Sequence, residues 1–378
     1  MLVPPLRFPE FTGEWKNTSL GEIGKTFNGL TGKSSADFGQ GFPYITYKSI
    51  FDDSKIDISR VEYVKITDVE RKKKTQNEVQ YGDVFFTTSS ETPDEVGMSS
   101  VLLDKIKDCY LNSFCFGYRL NSLSETIPEY MRFYLRSQTI RKKMFVLAQG
   151  STRFNISKSE VMGMSINIPI IEEQRKIANL LTLLDDRIAT QNKIIEKLQS
   201  LIKGIAQNVA RNNKPNIRLS ECLECSSSTL QESDVCKNGT YPVYGANGIV
   251  GYLDNYNTEK EAVYIIKDGS GVGTVSYVTG KCSATGTLNI SQAKNGYSLL
   301  YLYYILKVFN FEPYKTGMAI PHIYFKDYGK AKIFCPPYPE QLKYAKILSA
   351  IDSKLLTEQN IQTSFCMQKQ YLLHQMFI

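Results

Sequence analysis

Four short stretches carry side chains suited to gripping a polar ligand from loops. Thr87-Thr-Ser-Ser90 and Gly150-Ser-Thr-Arg-Phe-Asn155 lie in the first half of the chain; Tyr244-Gly-Ala-Asn-Gly248 and Lys267-Asp-Gly-Ser270 lie in the second. Hydroxyl, amide and guanidinium groups held on turns can donate to and accept from the edges of nucleic-acid bases. Ordinary surface turns share this composition, so the loops alone decide little. The densest basic run, Arg71-Lys-Lys-Lys74 with Arg60 and Lys65 nearby, is either a solvated loop or a phosphate contact, since phosphates need cations in no particular order. On this chemistry the candidate contacts are Lys48, Lys72, Lys73, Lys74 and Arg153, and then Tyr244, Asn247, Lys267, Ser270 and His322.

No complete catalytic or cofactor motif accompanies them. Cys335-Pro-Pro-Tyr338 resembles the Asn/Asp-Pro-Pro-Tyr motif of amino-group DNA methyltransferases, but a cysteine is a poor acceptor for a base amino group. The prolines read better as a stiff start to a helix. Gly269-Ser-Gly-Val-Gly273 lacks the Lys-Ser/Thr of a phosphate loop and the glycine spacing of a dinucleotide fold. Pro93-Asp94 has no following Asp/Glu-x-Lys to make a nuclease site. Cys222-x-x-Cys225 with Cys236 hints at zinc, yet there is no second Cys-x-x-Cys and the chain has 2 histidines, so no metal site is expected. His322 has no nucleophile beside it and reads as a contact residue rather than a general base.

The elements that must hold these loops repeat. Pro169-Ile-Ile-Glu-Glu-Gln174 returns as Pro336-Pro-Tyr-Pro-Glu-Gln341, and Glu173, Gln174, Ala178, Leu181 and Asp185 fall without a gap on Glu340, Gln341, Ala345, Leu348 and Asp352. Upstream, Tyr134, Gly150 and Ile156 fall on Tyr301, Gly317 and Ile323. After each start comes a heptad pattern. The first seam is Ile177, Leu181, Leu184, Ile188, Gln191, Ile195, Leu198, Ile202, Ile205 and Val209. The second contains Leu348, Ile351, Leu355 and Leu372 but turns polar at Glu358, Gln362 and Lys369. There Leu356, Ile361, Met367, Tyr371, Leu373 and Phe377 can take over, so a broader or shifted apolar face is expected.

This spacing predicts an α+β protein with a pseudo-two-fold internal repeat. Two globular heads, 1–170 and 214–334, are joined by long helices, 171–213 and 335–378, that pair as an antiparallel coiled coil. Val84–Thr87 and Ala262–Ile266 read as strands, and 129–147 and 298–308 as helical. A helix of about 40 residues rises roughly 60 Å, which would set the heads apart by at most about 17 base-pair steps.

Bulk composition agrees. A hydrophobic content of 42 % excludes a disordered chain, and a net charge of +7 suits a polyanion without requiring one. The 8 cysteines form no framework, the N-terminus has no apolar signal core, and no stretch is apolar enough to span a bilayer. A cytoplasmic protein with reduced thiols and no membrane contact is expected.

The chain resembles, over its full length, the specificity subunits of Type I restriction–modification systems. The resemblance rests on Arg7-Phe-Pro-Glu-Phe-Thr-Gly-Glu-Trp15 with Leu20-Gly21, on Gly150-Ser-Thr152, and on the duplicated Pro/Glu-Gln helix starts. It implies that the heads are target-recognition domains, each reading half of a bipartite, asymmetric site in double-stranded DNA. It implies that the helices space them and dock a pair of modification subunits, and that this chain catalyses nothing and binds no cofactor. Methylation with S-adenosylmethionine, and ATP- and Mg-dependent cleavage and translocation by restriction subunits, would belong to partners. The polar seam of the second helix departs from the pattern. Two other readings stay open on residues alone: a coiled-coil scaffold presenting protein- or carbohydrate-binding heads, and a fused DNA-modifying enzyme, which lacks its motif.

Overall fold

Strands form where β-branched and aromatic residues run between turns, and both faces of the central strands are covered. In Val84–Thr87, Val84 and Phe86 face a cluster with Met131 and Tyr134, while Phe85 faces a second cluster with Ile45, Ile50 and Leu111. Ala262–Ile266 repeats the arrangement: Val263 and Ile265 pack with Leu302 and Tyr328, and Ala262, Tyr264 and Ile266 pack with Cys282 and Leu288. The computed structural model describes residues 3–72 and 78–378, leaving the side chains of 71 and 72 outside that description. It divides into unit 1, Met1–Thr190 with Gln362–Ile378, and unit 2, Gln191–Ile361.

Each unit contains the same two sheets. In unit 1 a four-stranded antiparallel sheet runs in the order Gly24–Asn28, Cys115–Leu120, Val84–Thr87, Ser99–Val101. Beside it Phe38–Ile45 pairs antiparallel with Glu62–Val64 and parallel with Tyr110–Leu111. In unit 2 the four strands are Leu223–Ser227, Leu288–Ala293, Ala262–Ile266 and Val275–Val278. There Tyr241–Gly245 pairs antiparallel with Gly248–Leu253 and parallel with Ser283–Ala284. The predicted helical stretches are Pro128–Tyr134 and Gln138–Leu147 in unit 1 and Leu299–Lys307 in unit 2.

The repeated Gln explains why each long helix starts where it does. Gln174 Oε1 accepts from the Ile127 N–H at 3.0 Å, and its Nε2 donates to the Pro169 carbonyl at 2.9 Å. Gln341 Oε1 accepts from the Ser298 N–H at 2.9 Å, and its Nε2 donates to the Pro336 carbonyl at 2.8 Å. Each buried amide thus ties the long helix to the start of a head helix and satisfies the carbonyl of the proline before it. Acidic residues in the first turns, Glu172 and Glu173 in one helix and Glu340 in the other, complement the helix dipoles.

The long helices, Ile171–Arg211 and Tyr338–Gln375, pack together in both units. In unit 1 Ile177, Leu181 and Leu184 share a core with Leu372, Met376 and Phe377. Asp185 pairs with Lys369 at 2.5 Å, and the Arg187 guanidinium lies over the Phe365 ring, so the segments run antiparallel. In unit 2 Ile195, Leu198, Ile202 and Ile205 pack with Leu348, Ile351 and Leu355, while Gln191 Nε2 donates to the Glu358 carbonyl at 3.0 Å. Ile188 lies half-buried against the unit 1 core.

The apolar face of the second helix does not shift along most of its length, and it broadens only in the last turns. Leu356, Ile361, Met367 and Tyr371 are exposed. The polar seam positions keep the inward face because Glu358 and Lys369 find Gln191 and Asp185 there. Only Leu373 and Phe377 of the substitutes pack inward.

Candidate nucleic-acid interface

In unit 1 the two polar loops are stitched together. Ser89–Ser90, just past the strand Val84–Thr87, pairs antiparallel with Phe154–Asn155, so Asn155 sits opposite Ser89. Gln149 and Asn155 exchange backbone hydrogen bonds at 2.9 and 2.8 Å, closing a tight turn around Gly150. Gly150 has φ +130°, and a Cβ there would lie 2.2 Å from the Arg153 carbonyl oxygen, so no other residue fits. The turn lifts Ser151, Thr152 and Arg153 into solvent.

Tyr47 anchors this platform by donating its hydroxyl hydrogen to the Ser89 carbonyl at 2.6 Å. Burial pushes the Tyr47 phenol above its ordinary range, against an opposing pull from Arg153. Lys48 follows it, exposed on the helix Tyr47–Asp52, whose first turn Thr46 caps by accepting from the Ser49 N–H. Arg153 thus lies on the platform, and Lys48 is the exposed neighbour of the residue that anchors it. Lys73 and Lys74 lie outside the described residues. Lys72 ends the helix Asp68–Lys72, and its side chain also lies outside the description.

Several arginines of unit 1 are structural. Arg136 donates to the carbonyls of Ser99, Ile50, Phe51 and Asp53 at 2.6–3.0 Å, and burial pulls it down to about 10. Arg141 donates to the carbonyls of Asp94, Val96 and Gly97, and Arg119 grips the buried Asp83 with two bonds. Arg136 and Arg141 spend their donors on loop carbonyls, and the charge of Arg119 is matched by Asp83.

Unit 2 builds the same platform from different residues. Thr316 and His322, 167 positions after Gln149 and Asn155, exchange backbone bonds at 2.9 and 2.8 Å around Gly317. Gly317 has φ +90°, and its Cβ would meet the Ile320 carbonyl oxygen at 2.3 Å. The partner segment is Lys267-Asp268: Asp268 bridges His322, and the Ile323 N–H donates to the Lys267 carbonyl at 2.9 Å. This matches the Ile156 N–H donating to Thr88 in unit 1.

His322 Nδ1 lies 2.7 Å from Asp268 Oδ1, and Lys267 Nζ lies 2.7 Å from Oδ2. Burial pushes the Asp268 carboxyl up, and the bonds from Lys267 and His322 outweigh it, leaving the group below its ordinary value. Ser270 is exposed in the same turn. Tyr244 does not touch this group; its ring lies edge-on to Tyr264 at 5.8 Å, on the strand Ala262–Ile266 that leads into Lys267. Asn247 stands apart, exposed at the two-residue turn between Tyr241–Gly245 and Gly248–Leu253. Sequence reading missed Asp268 and Tyr47 as positioning residues; the duplicated Gly150 and Gly317 marked the turns, while these two act through contacts between segments 54 and 42 residues apart.

Among the described residues no cluster of His, Cys, Asp or Glu could hold a metal ion. Cys222 is buried and Cys236 exposed. Among them, too, no helix is long and apolar enough to cross a membrane.

Comparison with known proteins agrees with this duplicated plan. The family model for the Type I restriction modification DNA specificity domain matches residues 12–200 and again 215–364. A putative type I restriction enzyme MjaX specificity subunit from Methanocaldococcus jannaschii is 25 % identical, covering 91 % of this chain and 88 % of its own. A putative type I specificity subunit from Mycoplasma genitalium is 26 % identical over 65 % of this chain and 69 % of its own. The crystal structure of a Type I restriction–modification S subunit from M. genitalium shares the fold, with TM-score 0.66 at 18 % identity over 100 % of this chain and 99 % of that one. With both halves matched, the chain belongs to the Type I restriction–modification DNA specificity family, as the non-catalytic specificity subunit of such a system.

Proposed function

We propose that the chain reads a split, asymmetric site in double-stranded DNA, one half-site per unit, and docks the modification subunits that act there. One observation carries this reading. The same pair of stitched loops occurs in both units, at turn positions 167 residues apart, yet offers different chemistry: Ser89, Arg153 and Asn155 in one, Asp268, Ile320 and His322 in the other. Equal platforms with unlike side chains suit two unlike half-sites, with phosphate contacts from Lys48 and Lys72–Lys74 fixing the register.

The long helices would set the gap. The first spans 41 residues, or about 60 Å, which bounds the separation of half-sites at roughly 17 base-pair steps. Exposed Leu183 and Leu201 on the first helix and Leu356, Met367 and Tyr371 on the second offer apolar surface for a pair of modification subunits. Those partners would carry S-adenosylmethionine and flip the target base; restriction subunits would carry ATP and Mg.

The test is selection from randomised duplexes with the full chain assembled with modification subunits. Two unlike half-sites at one fixed gap are expected. Arg153→Ala should relax unit 1's half-site alone, and Lys48→Ala should weaken all sequences and reduce the salt slope by about 1. Equal losses on every sequence for every loop variant would remove the base-reading role.

A further inference from the structure

His322 is the part of unit 2's platform whose hydrogen-bonding direction is fixed. Asp268 reaches it across 54 residues of sequence, with 2.7 Å between Oδ1 and Nδ1. A carboxylate only accepts, so the ring nitrogen facing it carries the hydrogen. In the neutral imidazole the lone pair then sits on Nε2. Among the described residues Nε2 has no hydrogen-bond partner, and the side chain is 35 % exposed.

The surroundings hold the ring in place. Thr316 fixes the His322 backbone, the Gly269 N–H donates to the Pro321 carbonyl at 3.0 Å, and Lys267 occupies the second oxygen of Asp268. The Tyr324 ring lies nearly parallel to the imidazole, 23° apart in plane. The ring is thus oriented before any ligand arrives.

We infer that Asp268 positions His322 so that Nε2 accepts a hydrogen bond from the exocyclic amino group of an adenine or cytosine in unit 2's half-site. This rests on the DNA-reading proposal above. In the major groove adenine and cytosine present amino donors, whereas guanine and thymine present acceptors at the corresponding edge. A lone acceptor therefore separates the two pairs. Asn155, in the equivalent place opposite Ser89, has an amide that both donates and accepts, so unit 1 carries no such restriction.

The experiment selects from randomised duplexes with the full chain assembled with its modification subunits, comparing wild type, His322→Ala and Asp268→Asn. Wild type should prefer A or C at one position of the half-site, and His322→Ala should flatten that preference by about tenfold. In Asp268→Asn the amide nitrogen can donate to Nδ1, which moves the ring hydrogen to Nε2 and turns the acceptor into a donor. The same position should then favour G or T while the rest of the half-site is kept. A purely structural role for Asp268 would instead degrade every position together, and that result overturns the inference. So does a half-site that Asn247→Ala or Ser270→Ala relaxes while both His322→Ala and Asp268→Asn leave it intact; the DNA-reading proposal would survive that outcome. If wild type enriches no sequence, the DNA-reading proposal itself falls and takes the inference with it.

Discussion

Gln191 and Glu358 occupy the same position of the two repeats, and they hydrogen-bond to each other. Antiparallel helices that meet at equivalent residues have a local two-fold relation there, so a polar residue in one copy faces the polar residue of the other. Gln191 donates both to the Glu358 carbonyl and to its carboxylate, and both side chains are buried between the helices beside Ile195 and Leu355 of the apolar seam. Sliding either helix would bury these groups against Ile or Leu, which makes the pair a register lock.

Hydrogen bonds from Lys354 and then Gln191 hold the Glu358 carboxyl below its ordinary value of 4.5. A depressed carboxyl contributes stability above its unfolded pKa and loses it as pH falls through the folded pKa. Glu358→Gln should therefore be less stable than wild type at neutral pH, and the two should converge only below about pH 4.5. Thermal melts across a pH series measure this; a gap that stays constant into acid would show that the charge contributes nothing.

The repeat and both long helices were legible in the sequence because heptad spacing and the Pro/Glu-Gln starts are local patterns. The fate of Glu358 and Lys369 was not, because polar seam residues are explained only by what faces them. Their partners, Gln191 and Asp185, sit 167 and 184 positions away along the chain. Site chemistry divided the same way. Gly150 and Gly317 marked both turns in advance, whereas the Asp268–His322 pairing depends on a bridge between distant segments that no spacing rule reveals. Arg136 and Arg141 look like surface charge in the sequence, yet they spend their donors on buried carbonyls.

The duplicated glutamines make separable predictions. Gln174→Ala leaves the Ile127 N–H and the Glu125 and Pro169 carbonyls without a partner, and Gln341→Ala does the same to the Ser298 N–H and the Pro336 carbonyl. Each should cost about 1–3 kcal/mol. Hydrogen exchange should quicken at Ile127 in the first variant and at Ser298 in the second, without crossing over. Loss of protection at both amides in either variant would mean that the ties are not local.

Glu173 gives a spectroscopic handle. Its carboxylate is fully buried and is met by Arg7 through two bonds of 2.7 Å and by the Trp15 indole N–H at 3.3 Å. Removing Arg7 strands a buried charge, at a cost of about 3 kcal/mol. Trp15 is the one tryptophan in the chain, so its emission reports this site alone. Arg7→Ala should shift that emission to the red as the N-terminal segment loosens, and Arg7→Ala combined with Glu173→Gln should recover much of the stability. An unshifted spectrum in Arg7→Ala would show that Trp15 and Arg7 are held independently.

The spacing proposal can be tested without disturbing either polar pair. Inserting matched heptads after Thr190 in the first helix and after Ile361 in the second leaves Asp185 opposite Lys369 and Gln191 opposite Glu358. One heptad adds about 10.5 Å, or about three base pairs, and also turns the DNA by roughly a third of a turn. The selected gap should lengthen by about three base pairs with weaker binding, because the second half-site no longer faces the same side. Three heptads add about 31 Å, close to one full DNA turn, so the gap should grow by nine or ten base pairs with affinity near wild type. Both half-sites should stay the same throughout. An insertion in one helix alone must break one of the two polar pairs and should lower the melting temperature rather than define a new gap. If the matched insertions select the original gap, the helices do not set the spacing.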